Sequence, residues 1–239
     1  SKKYDHRFKD IFNEIYDALL AANLTAYKPS MYMGATDVKN WQDDSFREAS
    51  LVKMMATLFT KRLESSWYAC FTTIKKVLDV HKETLKRVNA FIASGIDAQL
   101  SSSIDDIIID EDEDFGDITI SLDKGSIDLA EMKDIEKFKA DLEYDIEKLK
   151  EFYDNINLFK EQFEAGSQKD DKLEELRKLI LDKQNQPNRK LVIFTAFSDT
   201  AEYLYREFAK NPALKGKMAC VSGSHTFTPE GSTSKFGEV

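Results

Sequence analysis

The chain has 239 residues, 42% hydrophobic and 32% charged, enough for one full core or for a helical part beside a small α/β part. Its formal net charge of -9 argues against a protein that coats nucleic acid by bulk charge, while leaving room for a local basic face. The distant pair Cys70 and Cys220 and the scattered His6, His81 and His225 exclude a disulfide framework and a zinc-ligand spacing, and no apolar run approaches a membrane span, so a soluble, cytoplasmic protein with no membrane partner is expected.

From Tyr4 to Leu24, the residues Phe8, Ile11, Phe12, Ile15, Tyr16, Leu19 and Leu20 recur at steps of three and four, which predicts a one-faced helix. Pro29 and Gly34 predict a loop. Ser45 followed by Glu48 has the form of a capping box, and Leu51, Met54, Met55, Leu58, Phe59 and Leu63 make the apolar stripe behind it. The period continues through Phe71, Ile74, Val77, Leu78, Leu85, Val88 and Ile92 to a stop at Gly95, giving one very long helix or two in series. Ser65 and Ser66 beside Trp67 interrupt the polar face there, which predicts a close helix contact.

Between residues 101 and 128, serines, a dense acidic run and short β-branched stretches predict an exposed loop with at most a weak strand. From Leu129 to Phe163, Met132, Ile135, Phe138, Leu142, Ile146, Leu149, Phe152, Ile156 and Phe159 predict a helical arm on the order of 50 Å long, with a seam like that of a coiled coil. Gly166-Ser167 ends it, and Leu173, Leu176, Leu179 and Ile180 give a short amphipathic helix before the Pro187-Asn188 break.

The character then changes. Lys190-Leu-Val-Ile-Phe-Thr195 has the continuous apolar run of a buried parallel strand, a helix follows from Asp199 to about Lys210, and Met218-Ala-Cys-Val221 predicts a second short strand. The fold class expected is mostly α with a C-terminal α/β portion: a helical region over 1–168, then the start of a parallel βαβ unit over 169–239.

Lys172-Leu-Glu-Glu-Leu-Arg-Lys-Leu-Ile-Leu181, Leu191-Val-Ile-Phe-Thr-Ala-Phe-Ser-Asp-Thr-Ala-Glu-Tyr-Leu204 and Val221-Ser-Gly-Ser224 together resemble the opening of the second RecA-like lobe of superfamily-two helicases, especially the bacterial Swi/Snf-like branch. Thr60-Lys-Arg-Leu-Glu-Ser-Ser66 is similar to a signature that this branch carries between its two lobes. The resemblance implies a piece of an ATP-driven translocase on double-stranded DNA. The phosphate-binding loop would lie before Ser1 and the arginine finger beyond Val239, so ATP and Mg are cofactors of the intact protein and none is expected in this chain. The partners implied are double-stranded DNA and the remaining helicase lobes of the same polypeptide.

The strand at Leu191 would deliver Ser198, Asp199 and Thr200 to a helix amino end, where backbone N–H groups and short hydroxyls suit a phosphate; in the family this edge faces the nucleic-acid backbone, with Ser222, Gly223 and Ser224 on the matching edge. Ser198 or Asp199 capping the helix, and Gly223 permitting a turn, is the plainer alternative. Lys61 and Arg62, with Glu64, are candidates for phosphate contacts or for an interlobe latch, or else a polar helix face.

No catalytic residue is expected. Ile107-Ile-Ile-Asp-Glu-Asp-Glu113 imitates the magnesium-binding motif of a P-loop ATPase, but no Gly-x-x-x-x-Gly-Lys-Ser/Thr accompanies it, it follows the Lys-Arg-Leu-Glu-Ser-Ser signature instead of preceding it, and its crowded carboxylates fit a solvated loop. A helical adaptor that binds a partner through the 129–163 seam is the alternative function. A small nucleotide-binding enzyme lacks a Gly-rich loop after Leu191.

Overall fold

A computed structural model describes residues 23–33, 38–95, 99–101, 126–222, 226–228 and 231–233. The expected helix over 4–24 falls almost wholly outside them, and the acidic run at 105–114 entirely so. The described residues are mostly helical, and none of their helices is long and apolar enough to cross a membrane.

After two 3-10 turns at Thr25–Tyr27 and Pro29–Tyr32, two α-helices run in series, α1 (Val38–Ser65) and α2 (Trp67–Ser94). The helix begins at Val38 and not at Ser45. No Pro or Gly between them interrupts it, and the Glu48 carboxylate that a capping box would need accepts instead from the backbone N–H of Ser30 at 3.1 Å and from its hydroxyl. Gly95, at φ 67, closes α2 as expected, its N–H donating to Phe91 O at 2.7 Å.

The arm helix α3 spans Ile135–Glu164 and starts six residues later than its apolar pattern suggests. Leu129–Glu131 is a 3-10 turn, and Asp134 Oδ1 accepts from Lys137 N at 3.0 Å, fixing the helix start. Buried positions then follow a strict four-three alternation: Phe138, Leu142, Asp145, Leu149, Phe152, Ile156, Phe159. A carboxylate, Asp145, occupies the slot that hydropathy gives to Ile146, which is only half-buried.

The chain divides into two compact units. The first holds the described residues of Ser1–Lys61, Cys70–Ile108 and Gly116–Ile156; the second holds those of Arg62–Ala69 and Asn157–Val239. In the first, β1 (Gln99–Ser101) pairs antiparallel with β2 (Ser126–Asp128), Leu100 opposite Ile127. Its core includes Val88, Leu129, Met132, Phe138 and Leu142, with Tyr32, Met33 and Leu85 packed against them.

In the second unit, Gly166 at φ 74 ends α3, and α4 (Asp171–Gln184) is capped by Asp170, whose Oδ1 accepts from Leu173 N at 3.0 Å. Helix α5 spans Ser198–Ala209, and β3 (Cys220–Val221), β4 (Thr226–Thr228) and β5 (Gly231–Thr233) form an antiparallel sheet in chain order.

The expected strand at Leu191–Thr195 is a correction. The segment joins no ladder; Leu191, Val192, Ile193 and Phe194 are 47%, 72%, 42% and 91% exposed. An apolar, β-branched run becomes a strand only when a neighbour takes its N–H and C=O groups. The second expected strand exists, but its partner is β4, antiparallel, with Cys220 opposite Phe227. The described residues therefore contain no parallel βαβ pairing.

Candidate functional site at the helix junction

The Lys-Arg-Leu-Glu-Ser-Ser segment is the end of α1 and the turn into α2. Arg62, Ser65 and Ser66 are spaced three and four apart, so they share one face. Asp199, Thr200 and Tyr203 share a face of α5 by the same rule. The two faces meet. Arg62 Nη1 lies 2.8 Å from Asp199 Oδ2, with the arginine side chain 3% and the aspartate 23% exposed. The Arg62 guanidinium also sits 4.9 Å over the Phe197 ring, a cation held against an aromatic face away from water.

Thr200 Oγ1 is 2.9 Å from Ser65 Oγ and 2.8 Å from Ser66 Oγ, the close helix contact that the paired serines predict. Small side chains are needed here because two helices approach to hydroxyl distance. Ser66 Oγ also accepts from Ala69 N at 3.1 Å and so caps α2. At the end of α1, Lys172 Nζ donates to the carbonyls of Glu64 and Ser65, where the helix presents partial negative charge.

An aromatic cluster backs the polar contacts. The Trp67 ring packs on Phe159, Phe163 and Tyr203 at centroid distances of 5.4, 5.5 and 5.4 Å. Trp67 Nε1 donates to Tyr203 OH at 3.0 Å, and Tyr203 OH donates to Asp170 Oδ2 at 2.9 Å. Burial, reinforced by the Asp170 charge, holds the Tyr203 phenol well above its ordinary range, so it remains a donor at any physiological pH. One tryptophan at the start of α2 is thereby tied through a tyrosine on α5 to the capping aspartate of α4.

Of the predicted contact residues, the structure brings Arg62, Asp199 and Thr200 together, directed at one another and at Ser65 and Ser66. Lys61 is exposed, Ser198 and Ser222 are half-buried, and Gly223 and Ser224 lie outside the described residues. Neither Ser198 nor Asp199 caps α5: its N-cap is Phe197, with no side-chain cap bond. Tyr203, Asp170 and Lys172 are absent from the predicted set. Asp170 carried a readable signal, an aspartate just before an apolar-periodic run; the partners of Tyr203 and Lys172 are set by tertiary packing alone.

Comparisons with protein-family models, curated proteins and solved structures find no match for this chain.

The arrangement holds the end of α1, the start of α2 and α5 together through an ion pair, hydroxyl contacts and aromatic packing. Among the described residues, no group of three or more His, Cys, Asp or Glu side chains could hold a metal ion. Thr200→Val keeps the shape of a side chain that is 5% exposed but leaves two serine hydroxyls without it. It is expected to lower unfolding free energy by about 1–3 kcal/mol, read from urea denaturation, while Thr200→Ser, which keeps the hydroxyl, is expected to lose less.

Proposed function

We propose that the chain is part of a Swi/Snf-like superfamily-two ATPase, a translocase on double-stranded DNA, and that it supplies interlobe structure and DNA-backbone contacts without the ATP-hydrolysing residues. The observation that carries this reading is the meeting of Arg62, Ser65 and Ser66 with Asp199 and Thr200. The two segments that resemble the family, 137 residues apart between Arg62 and Asp199, are bonded to one another. A signature joining the lobes of a motor needs such a joint.

The exposed run Leu191–Phe194 supports the same reading. Four large apolar side chains stand in water directly before a well-packed helix, and each Å² of apolar surface left there forgoes about 25 cal/mol. Strands from the rest of a RecA-like sheet would cover it and take its backbone groups. ATP and magnesium belong to that larger assembly, as do the other helicase lobes and the DNA. The adaptor alternative needs an exposed seam on the arm helix; Phe138, Leu142, Leu149, Phe152 and Ile156 are buried, which favours the motor.

The test is steady-state ATPase activity with and without double-stranded DNA, for this chain and for a longer polypeptide extended into the flanking coding sequence. DNA-stimulated hydrolysis by the longer polypeptide alone is the expected result. A longer polypeptide that lacks both a phosphate-binding loop and activity would overturn the assignment.

A further inference from the structure

We propose that residues 23–33 form a strap that closes over the apolar face of α2 and α3 and opens on acidification, with His81 as the proton-sensitive element. The strap is two 3-10 turns, Thr25–Tyr27 and Pro29–Tyr32, fastened by three carboxylates. Asp145 accepts from Asn23 N at 2.8 Å and Thr25 N at 2.6 Å, Glu48 accepts from Ser30 N at 3.1 Å, and Asp141 accepts from Tyr32 OH at 2.6 Å. Leu24, between the two amides that Asp145 holds, is left-handed at φ 53, ψ 47, a conformation an L residue keeps only when its neighbours impose it. Beneath the strap, Ala26, Tyr32 and Met33 cover the cluster of Val88, Leu129, Met132, Phe138 and Leu142.

His81 is fully buried on α2 beside the first fastening. Its Nδ1 is 2.8 Å from Val77 O; a carbonyl only accepts, so Nδ1 carries the proton. Nε2 of the neutral ring then presents a lone pair to Asp145 Oδ2 at 3.8 Å and makes no hydrogen bond among the described residues. Among the described residues, the titratable groups against this ring are Asp145 from α3 and Tyr27 from the strap, the latter edge-on with centroids 5.5 Å apart. Burial holds the Tyr27 phenol far above its ordinary value, so it stays neutral. Burial also holds His81 below its ordinary value, outweighing the raising effects of the Val77 carbonyl and the Asp145 charge.

The direction of the switch follows. With the strap closed the imidazole resists a proton; with the strap open and water admitted it regains its ordinary value, 6.5. The open form therefore binds more protons as pH falls below that value, and closure, fully favoured above it, weakens by up to about tenfold per pH unit.

Hydrogen exchange at the amides of Thr25 and Leu149, corrected for intrinsic rate, tests this from pH 7.5 to 5.5 in the wild type and in His81→Gln. Thr25 protection is expected to fall with pH in the wild type, by up to about tenfold per unit below the imidazole value, and to stay level in the variant, while Leu149 on α3 holds. Equal slopes in the two proteins, a level wild type, or a parallel fall at Leu149 would each overturn the proposal. A second measurement needs no variant: imidazole nitrogen shifts in the wild type should give an unprotonated Nε2 at neutral pH, and a protonated one would defeat the mechanism.

Discussion

Replacing Asp145 by alanine is expected to cost about 3–5 kcal/mol of stability, among the largest losses for any single side chain outside the aromatic core. The carboxylate is fully buried and accepts from two backbone amides, at 2.8 and 2.6 Å. Alanine leaves both N–H groups without this acceptor, at about 1–3 kcal/mol for the buried Thr25 amide and less for Asn23, which water reaches, and opens a void within the arm-helix seam. Asp145→Asn separates acceptor from charge: its single amide oxygen can serve one N–H, while its own NH₂ meets the other donor head-on. A smaller loss is expected for it, with Thr25 exchange faster in both variants. Urea unfolding supplies the free energies. A loss under about 1 kcal/mol for the alanine variant would mean that the two amides find another acceptor and that Asp145 is not the fastening.

Asp145 also marks where the sequence stops being legible. The helices could be read because burial repeats with the backbone: α2 and α4 stand where the apolar period puts them, α3 does so from Ile135 onward, and Gly95 and Gly166 end α2 and α3 through positive φ. That period says which face is buried, not which polar side chain shares it. Ile146 fits the hydropathy, yet Asp145 fills the slot because two amides some 120 residues earlier in the chain need a carboxylate there. The cap expected at Ser45 failed for the same reason, Glu48 serving Ser30. At Leu191–Phe194 the composition of a strand was legible, but pairing is a property of two segments. Within the candidate site, Ser65, Ser66 and Trp67 announced a close contact; that Asp199 and Thr200 would complete it depended on residues more than 130 positions away.

Arg62→Ala is the second large effect, expected at about 3 kcal/mol or more, because a guanidinium with 3% of its side chain exposed is removed from beside a carboxylate and an aromatic ring. Asp199→Ala should cost a comparable amount, because it removes the partner that is 23% exposed and leaves the guanidinium, 3% exposed, without this carboxylate. A double-mutant cycle in urea separates these contributions and should give a coupling of about 0.5–3 kcal/mol. Lys61→Ala, on the exposed side of the same helix, should change stability by no more than about 0.5 kcal/mol. The pair of neighbours thus distinguishes two roles in the proposed motor. Lys61→Ala should weaken binding to double-stranded DNA and reduce the slope of log affinity against log salt by about 0.9 for each phosphate that is no longer neutralised, with stability unchanged. Arg62→Ala should weaken DNA binding only as far as it loosens the junction, with the salt slope preserved. If instead Arg62→Ala flattens the slope and spares stability, Arg62 meets phosphate in the complex and its bond to Asp199 is the one that DNA displaces.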